Sequence, residues 1–499
     1  MDLFGHLALG FGAALSLQNL GFCLIGALLG TLIGVLPGIG PIATIAMLLP
    51  LTFGMEPLAA LIMLAGIFYG SQFGGSTTAI LVNLPGESAS VVTCIDGHQM
   101  ARQGRAGAAL AVAAIGSFVA GTAGTLVIAV LGPVLSAFSL KFNAPEYFAL
   151  MVLGLVSAVV LAHGSVVKAI AMIFVGLLLG MAGTDLTSST QRFTFGMQQL
   201  SDGIGFVPLA LGMFGLAEII SNLEKPAHRS VLKDKITGLW ISWSELKSAF
   251  PAMLRGTALG CSFGILPGGG PTLSAFSSYT LEKKVADDPS RFGKGAIEGV
   301  AGPESANNAA AQTSFIPLLT LGIPSNAVMA LMMGAMIIQG IQPGAQVMEQ
   351  RPELFWGLIA SMWIGNLMLL VINLPLIGLW ASLLKVPYRL LFPCILVFAC
   401  IGVYSVGTSP FEIMLTAFFG LLGYIFLKLD CEPAPLLLGF VLGPMMEIAL
   451  RRTLLISRGD PTVFLQRPIS LVILIAAALL LLLIVIPALR RGRAAAFQE

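Results

Sequence analysis

The sequence predicts an all-α polytopic membrane protein made of two homologous repeats, with about a dozen membrane elements that include broken helices or re-entrant hairpins. Three observations carry this. Of 499 residues, 57% are apolar and only 10% are charged, against roughly 25% in soluble domains. With a mean hydropathy of +0.93, the chain has too few charges to cover a water-soluble globule. Charge-free runs of about 20 residues, the length that crosses a bilayer, recur along the chain without the period-2 alternation of barrel strands. Finally, whole motifs recur at nearly one spacing. Together these exclude a cytosolic enzyme, a nucleic-acid binder and a disordered scaffold, and a formal net charge of +2 gives no electrostatic reason for a polyanionic partner.

In chain order, Leu7–Met55 is long enough for two passes, and Pro57–Gly86 is long but broken by polar residues. Ala106–Leu140, Tyr147–Val167, Gly256–Leu281, Ser305–Met348, Leu354–Leu384, Leu390–Phe411 and Pro468–Leu489 are further spans. Ala169–Thr184, Gly203–Ala217, Ile413–Leu427 and Pro433–Met446 are shorter. Met1–Leu7 has neither a basic segment nor a small-residue cleavage site and reads as retained. The six cysteines show no CxxC pair and read as small buried hydrophobes. Basic residues cluster at 98–105, 225–235, 283–294, 451–467 and 490–493, and such clusters prefer the cytoplasm. The last two flank a single span, so one breaks the rule; the reading puts Arg490–Arg493 inside.

Gly34–Pro41 reads GVLPGIGP and Gly264–Pro271 reads GILPGGGP, 230 residues on. Pro208–Gly212 and Pro435–Gly439 match at an offset of 227, and Glu218-Ile219 and Glu447-Ile448 at 229. The expected organisation is a first repeat over 1–222, a polar linker over 223–245, a second repeat over 246–450, and an extra helix with a basic tail over 451–499. Duplicated halves with Gly/Pro-interrupted segments at matching places are the mark of secondary transporters, whose sites lie near the midplane between the repeats.

The interruptions supply the candidate site. Pro37 and Pro267 lack backbone donors, Gly38, Gly40, Gly268, Gly269 and Gly270 tolerate unusual backbone angles, and Pro41 and Pro271 suit a first helical turn. Unwound backbone in lipid must face protein, water or ligand, and a half-helix N-terminus attracts an anion. A second break in each half adds hydroxyls and amides: Ser71, Gln72, Ser76, Thr77, Thr78 and Asn83, then Asn307, Asn308, Ser325 and Asn326. Such groups donate to a carboxylate and accept from a cation, though small polar residues also serve plain helix packing. Glu87 and Glu304 lie inside these breaks, and intramembrane charges are expensive, so they are the candidates for ion coupling. Arg192 is placed to pair with Asp185 or to snorkel.

There is no GxxxxGK[ST] loop, no HExxH and no GxSxG, so the residues suggest no enzyme, no metal and no bound cofactor beyond a coupling Na+ or H+. A carrier or exchanger working alone and a membrane scaffold remain alternatives.

Five segments resemble the large membrane subunit of the tripartite tricarboxylate transporters: Gly30–Gly54, Tyr69–Leu110, Gly183–Gly196, Gly264–Phe276 and Pro433–Arg452. The resemblance implies a permease in a bacterial inner membrane that acts with a small membrane subunit and a periplasmic solute-binding protein. It implies import of small organic anions, di- and tricarboxylates such as citrate, by symport with Na+ or H+. It also implies kinship with two-repeat carriers that use re-entrant hairpins and an elevator-like motion.

Overall fold

A computed structural model of the chain describes residues 3–36, 40–161, 165–185, 188–224, 241–266, 270–383 and 388–485. Pro37, Gly38, Pro267, Gly268, Gly269 and His163 lie outside the described residues.

Helices α1 (Leu3–Ala14), α2 (Leu17–Val35) and α3 (Pro41–Leu48) lead to α4 (Pro57–Val82), α5 (Val91–Arg102) and the long α6 (Ala106–Ser139). Then come α7 (Ala144–Leu161), α8 (Val166–Gly180), the two-residue strands β1 (Gly183–Thr184) and β2 (Gln191–Arg192), α9 (Phe206–Ala210) and α10 (Ala217–Glu224). Strands β1 and β2 pair antiparallel, and a π-helical segment, Leu211–Leu216, joins α9 to α10. The second half runs through α11 (Trp243–Ile265), α12 (Pro271–Val285), α13 (Glu298–Thr313), α14 (Phe315–Leu321), α15 (Ala327–Ile338) and α16 (Gln346–Gln350). It continues with α17 (Pro352–Asn373), α18 (Ile377–Leu383), α19 (Tyr388–Gly407), α20 (Pro410–Lys428), α21 (Pro433–Ile456), α22 (Val463–Gln466) and α23 (Pro468–Val485).

The expected class is met: an all-α polytopic membrane protein. Among the described residues, seven stretches are long and apolar enough to cross a bilayer, and six shorter apolar ones accompany them. α11 starts inside the span read as linker, because Ser242 and Glu245 form a capping box ahead of its first turn. Proline at the first turn of α3, α4, α12, α17, α20 and α21 fits a position with no intrahelical donor to lose.

Lipid gives little hydrophobic push between helices, so small residues that let backbones meet do the holding. A Cβ on Gly26, Gly30 or Gly34 of α2 would strike the carbonyls of Met63, Ile67 or Ser71 of α4. One on Gly256, Gly260 or Gly264 of α11 would strike those of Gly302, Ala306 or Ala310 of α13. The rising numbers mean that each pair runs parallel. α17 runs with α4, since Leu58 meets Gly357 and Tyr69 meets Gly365. α6 runs with α13, through Gly116 against Ser305 and Asn308 against Ser117, and on along α14, where Ser139 bonds the Thr320 carbonyl. α6 opposes α17, since Gly121 meets Asn366 and Gly132 meets Phe355. Hence α2, α4 and α17 point one way, and α6, α11 and α13 the other.

Two faces follow. On one, Arg105 pairs with Glu245 at 2.7 Å, Gln103 donates to the Lys294 carbonyl at 2.8 Å, and Lys283, Lys284 and Arg291 lie nearby in sequence. Here the buried Asp96 accepts backbone N–H groups of Gly293, Gly295 and Ala296 at 2.8–2.9 Å through Oδ1, and the Tyr279 hydroxyl at 2.8 Å through Oδ2. On the other face, Gln339 bonds the Thr52 carbonyl, and Arg467 pairs with the buried Glu146.

Candidate functional site

Every residue of α4 from Leu58 to Val82 is buried, as is every residue of α13 from Gly299 to Thr313. Two such helices cross at the centre of the molecule, and their polar residues meet there. Glu304 of α13 is 1% exposed. It accepts the hydroxyl of Ser76 from α4 at 2.5 Å and the hydroxyl of Thr93 from α5. Glu87, in the α4–α5 connection, accepts the Ala89 amide at 2.9 Å and the Asn307 side-chain amide at 3.3 Å. Asn308 donates to Ser117 of α6 at 2.7 Å and to the Glu304 carbonyl at 3.1 Å. The first-half candidates Ser76 and Glu87 and the second-half candidates Glu304, Asn307 and Asn308 thus form one cluster.

Among the described residues neither Glu87 nor Glu304 has a Lys, Arg or His partner; only neutral donors reach them. Such a carboxylate pair is costly to bury without a compensating positive charge. Around it, Gln72 Oε1, Asn307 Oδ1, Gln312 Oε1 and Ser305 Oγ are buried with no hydrogen-bond partner among the described residues, where buried polar atoms are normally satisfied.

The other candidates lie as follows. Thr78 donates to the Val35 carbonyl at 2.8 Å and to that of Gly34 at 3.3 Å, closing the end of α2. Thr77 lies one position before it, bonded weakly to the Phe73 carbonyl at 3.5 Å. Asn83 ends α4 in the left-handed region and is exposed, with its side chain outside the cluster. Ser325 donates to the Ser314 carbonyl at 3.3 Å, and Asn326 donates to the Ser314 hydroxyl at 3.2 Å while capping α15. Gly270 precedes α12 at φ +86° beside Asn326. Thr272, in the first turn of α12, touches Ser88 at 3.0 Å, so this half-helix begins against the Glu87 loop. Gly40 precedes α3, and its amide faces the carboxylate of Glu218.

Arg192 binds Glu447 at 2.8 Å, more closely than it approaches Asp185 at 3.9 Å, and Arg451 bridges both carboxylates. These charges knit the hairpin after α8 to α21, away from the cluster. Sequence reading missed Thr93, Ser117 and Asn373: Thr93 stands among more strongly polar neighbours in α5, and Ser117 and Asn373 are single polar positions within the long apolar helices α6 and α17, with nothing local to set them apart. A Gly-x-x-x-Gly-x-x-x-Gly series at Gly26, Gly30, Gly34 and again at Gly256, Gly260, Gly264 was available as a further signal.

The fold and site define a multi-pass membrane transporter: opposed helix pairs, interrupted half-helices and a buried polar cluster of carboxylates and amides. The model of the tripartite tricarboxylate transporter TctA family matches residues 20–438. A protein of Agrobacterium vitis described as "Uncharacterized 52.8 kDa protein in TAR-I ttuC' 3'region" is 57% identical over 499 residues, covering 100% of this chain and 99% of that protein. A second from the same organism, "Uncharacterized protein in TAR-II ttuC' 3'region", is 57% identical over 240 residues, 48% of this chain and 99% of its own length. No solved structure matches. The chain belongs to the tripartite tricarboxylate transporter TctA family and is the large membrane subunit of such a transporter.

Proposed function

We propose that this chain is the permease of a binding-protein-dependent secondary transporter importing small di- and tricarboxylates, citrate among them, across a bacterial inner membrane with a cation. The observation that carries the reading is the buried Glu87–Glu304 cluster, which has neutral donors only. A tricarboxylate arriving beside two glutamates needs positive charge that no side chain there supplies. Amide and hydroxyl donors, half-helix N-termini and a co-transported Na+ or H+ together offset it.

The two halves are read as inverted copies, one over 1–222 and one over 246–450. Their opposed packing supports this, α2 with α4 against α11 with α13. The face carrying Arg102, Arg105, Lys283, Lys284, Arg291 and Lys294 is assigned to the cytoplasm. The opposite face then meets the periplasmic solute-binding protein, and a small membrane subunit completes the complex.

The test is uptake of labelled citrate and other carboxylates into proteoliposomes holding both membrane subunits, with the solute-binding protein added outside. Uptake is expected to need the binding protein and an inward Na+ or H+ gradient. Undiminished uptake with both gradients collapsed overturns cation coupling. Undiminished uptake without the binding protein favours a carrier that works alone.

A further inference from the structure

A small cavity lies where α4, α6 and α17 meet, one hydroxyl away from Glu304. Its polar lining is Ser76 and Thr77 of α4, Ser117 of α6 and Asn373 at the end of α17, closed by apolar side chains such as Leu110 and Ile377. Its free volume of about 10 Å³ is that of a single water. A carboxylate cannot enter so small a space.

The lining is arranged to accept. Ser76 commits its hydrogen to Glu304 and the Gln72 carbonyl, at 2.5 and 2.9 Å, which leaves lone pairs only. Thr77 directs its own to the Phe73 carbonyl. Asn373, 5% exposed, uses its amide hydrogens on Leu369 and Thr31 at 2.9 and 3.4 Å, and its buried Oδ1 has no hydrogen-bond partner among the described residues. Ser117 Oγ already receives Asn308. Oxygen atoms in this number, all neutral, suit a hard cation. The cavity walls themselves carry no titratable side chain for a proton to ride on. Glu304 is the carboxylate that a wall hydroxyl, Ser76, bonds directly, and one such charge balances a monovalent ion. Divalent ions call for several carboxylates, and among the described residues no group of three acidic, His or Cys side chains comes together.

We propose that the cavity bounded by Ser76, Thr77, Ser117 and Asn373 holds one desolvated Na+, with Glu304 as its counter-charge. This rests on the reading of the chain as a cation-coupled carboxylate permease, and it chooses the ion and the atoms that hold it. The ion ties α4 of the first half to α6 and α17, so it braces the helices around the Glu304 cluster when bound.

The experiment measures the Na+ concentration for half-maximal citrate uptake in the reconstituted complex, and Na+ binding to the purified chain by calorimetry with K+ as control. Asn373→Ala and Ser117→Ala are expected to raise both values at least tenfold. Asn373→Asp, which keeps an oxygen in place, is expected to stay within about threefold of the unaltered protein. Wild-type values in Asn373→Ala, or Na+-indifferent citrate uptake by the unaltered complex, overturn the site while leaving the permease reading intact. If no carboxylate moves under any gradient, the permease reading falls, and calorimetric Na+ binding that Asn373→Ala weakens still upholds the cavity. Should Asn373→Ala fail to reach the membrane, Ser117→Ala with Asn373→Asp decides alone: unchanged Na+ affinity in the former overturns the site.

Discussion

The connection after α4 and the connection after α14 share one backbone plan and differ in one charge. α4 ends in a left-handed residue, Asn83 at φ 56°, and α14 ends in another, Gly322 at φ 70°. Each is followed after one residue by proline, and then by an extended residue whose side chain caps the next helical turn. That residue is Glu87 in the first half, accepting from Ala89, and Asn326 in the second, accepting from Met329. Both following helices close in the same way, with glycines at φ 79° and 68° after Gln103 and Gln339. A capping oxygen is all the backbone requires at either place. The carboxylate at Glu87 is therefore surplus to folding, and it stands where Asn307 and the start of α12 converge.

Exchanging the two caps tests that conclusion most strongly. Glu87→Asn keeps an acceptor for Ala89 and removes the charge. Citrate uptake is expected to fall about 100-fold, ~2.7 kcal/mol of lost stabilisation, while the thermal midpoint of the detergent-purified protein holds. A midpoint that drops along with uptake would make Glu87 a structural cap like its counterpart. Next in size is Gly322→Ala. The new Cβ sits 2.7 Å from the Pro343 carbonyl at a positive φ, and about 2 kcal/mol of stability should be lost in chemical unfolding. Asn326→Ala removes a neutral cap and its bond to Ser314, for about 1 kcal/mol. Its uptake, normalised to folded protein, is expected to change far less than that of Glu87→Asn. The smallest effect belongs to Asn83→Gly, which relaxes a left-handed residue already exposed and should shift stability by less than about 0.5 kcal/mol either way. A larger loss there would mean that the Asn83 side chain holds something the backbone plan does not need.

The helices and their interruptions were legible because each has a local cause. Charge-free length marks a span, Pro-Gly runs mark a stop, and the capping pair Ser242 and Glu245 marked the true start of α11 although it was read as linker. The clustering of Ser76 and Glu87 with Glu304, Asn307 and Asn308 was half legible: the residues stood out as polar in apolar runs, but nothing local says that α4 crosses α13 at Ser76. Thr93, Ser117 and Asn373 were illegible for the same reason. Their partners are fixed by the opposed packing of whole helices, and the glycine spines that set this packing act over dozens of residues. Thr78 and Asn83 looked the same in sequence, yet one closes α2 and the other ends α4 facing outward.

Asp96 has a consequence for how this molecule can diverge. It joins α5 to the turn ahead of α13 through peptide N–H groups, which every residue except proline offers. Gly293 at φ 82° and Gly295 at φ 99° hold the turn in a backbone shape that favours glycine, so of the three donors only Ala296 is free to change its side chain at no backbone cost, and the aspartate has no substitute of equal reach. Distant relatives should therefore keep an acid here opposite glycines at 293 and 295, and a proline arriving at 293, 295 or 296 should be the rarest replacement of all.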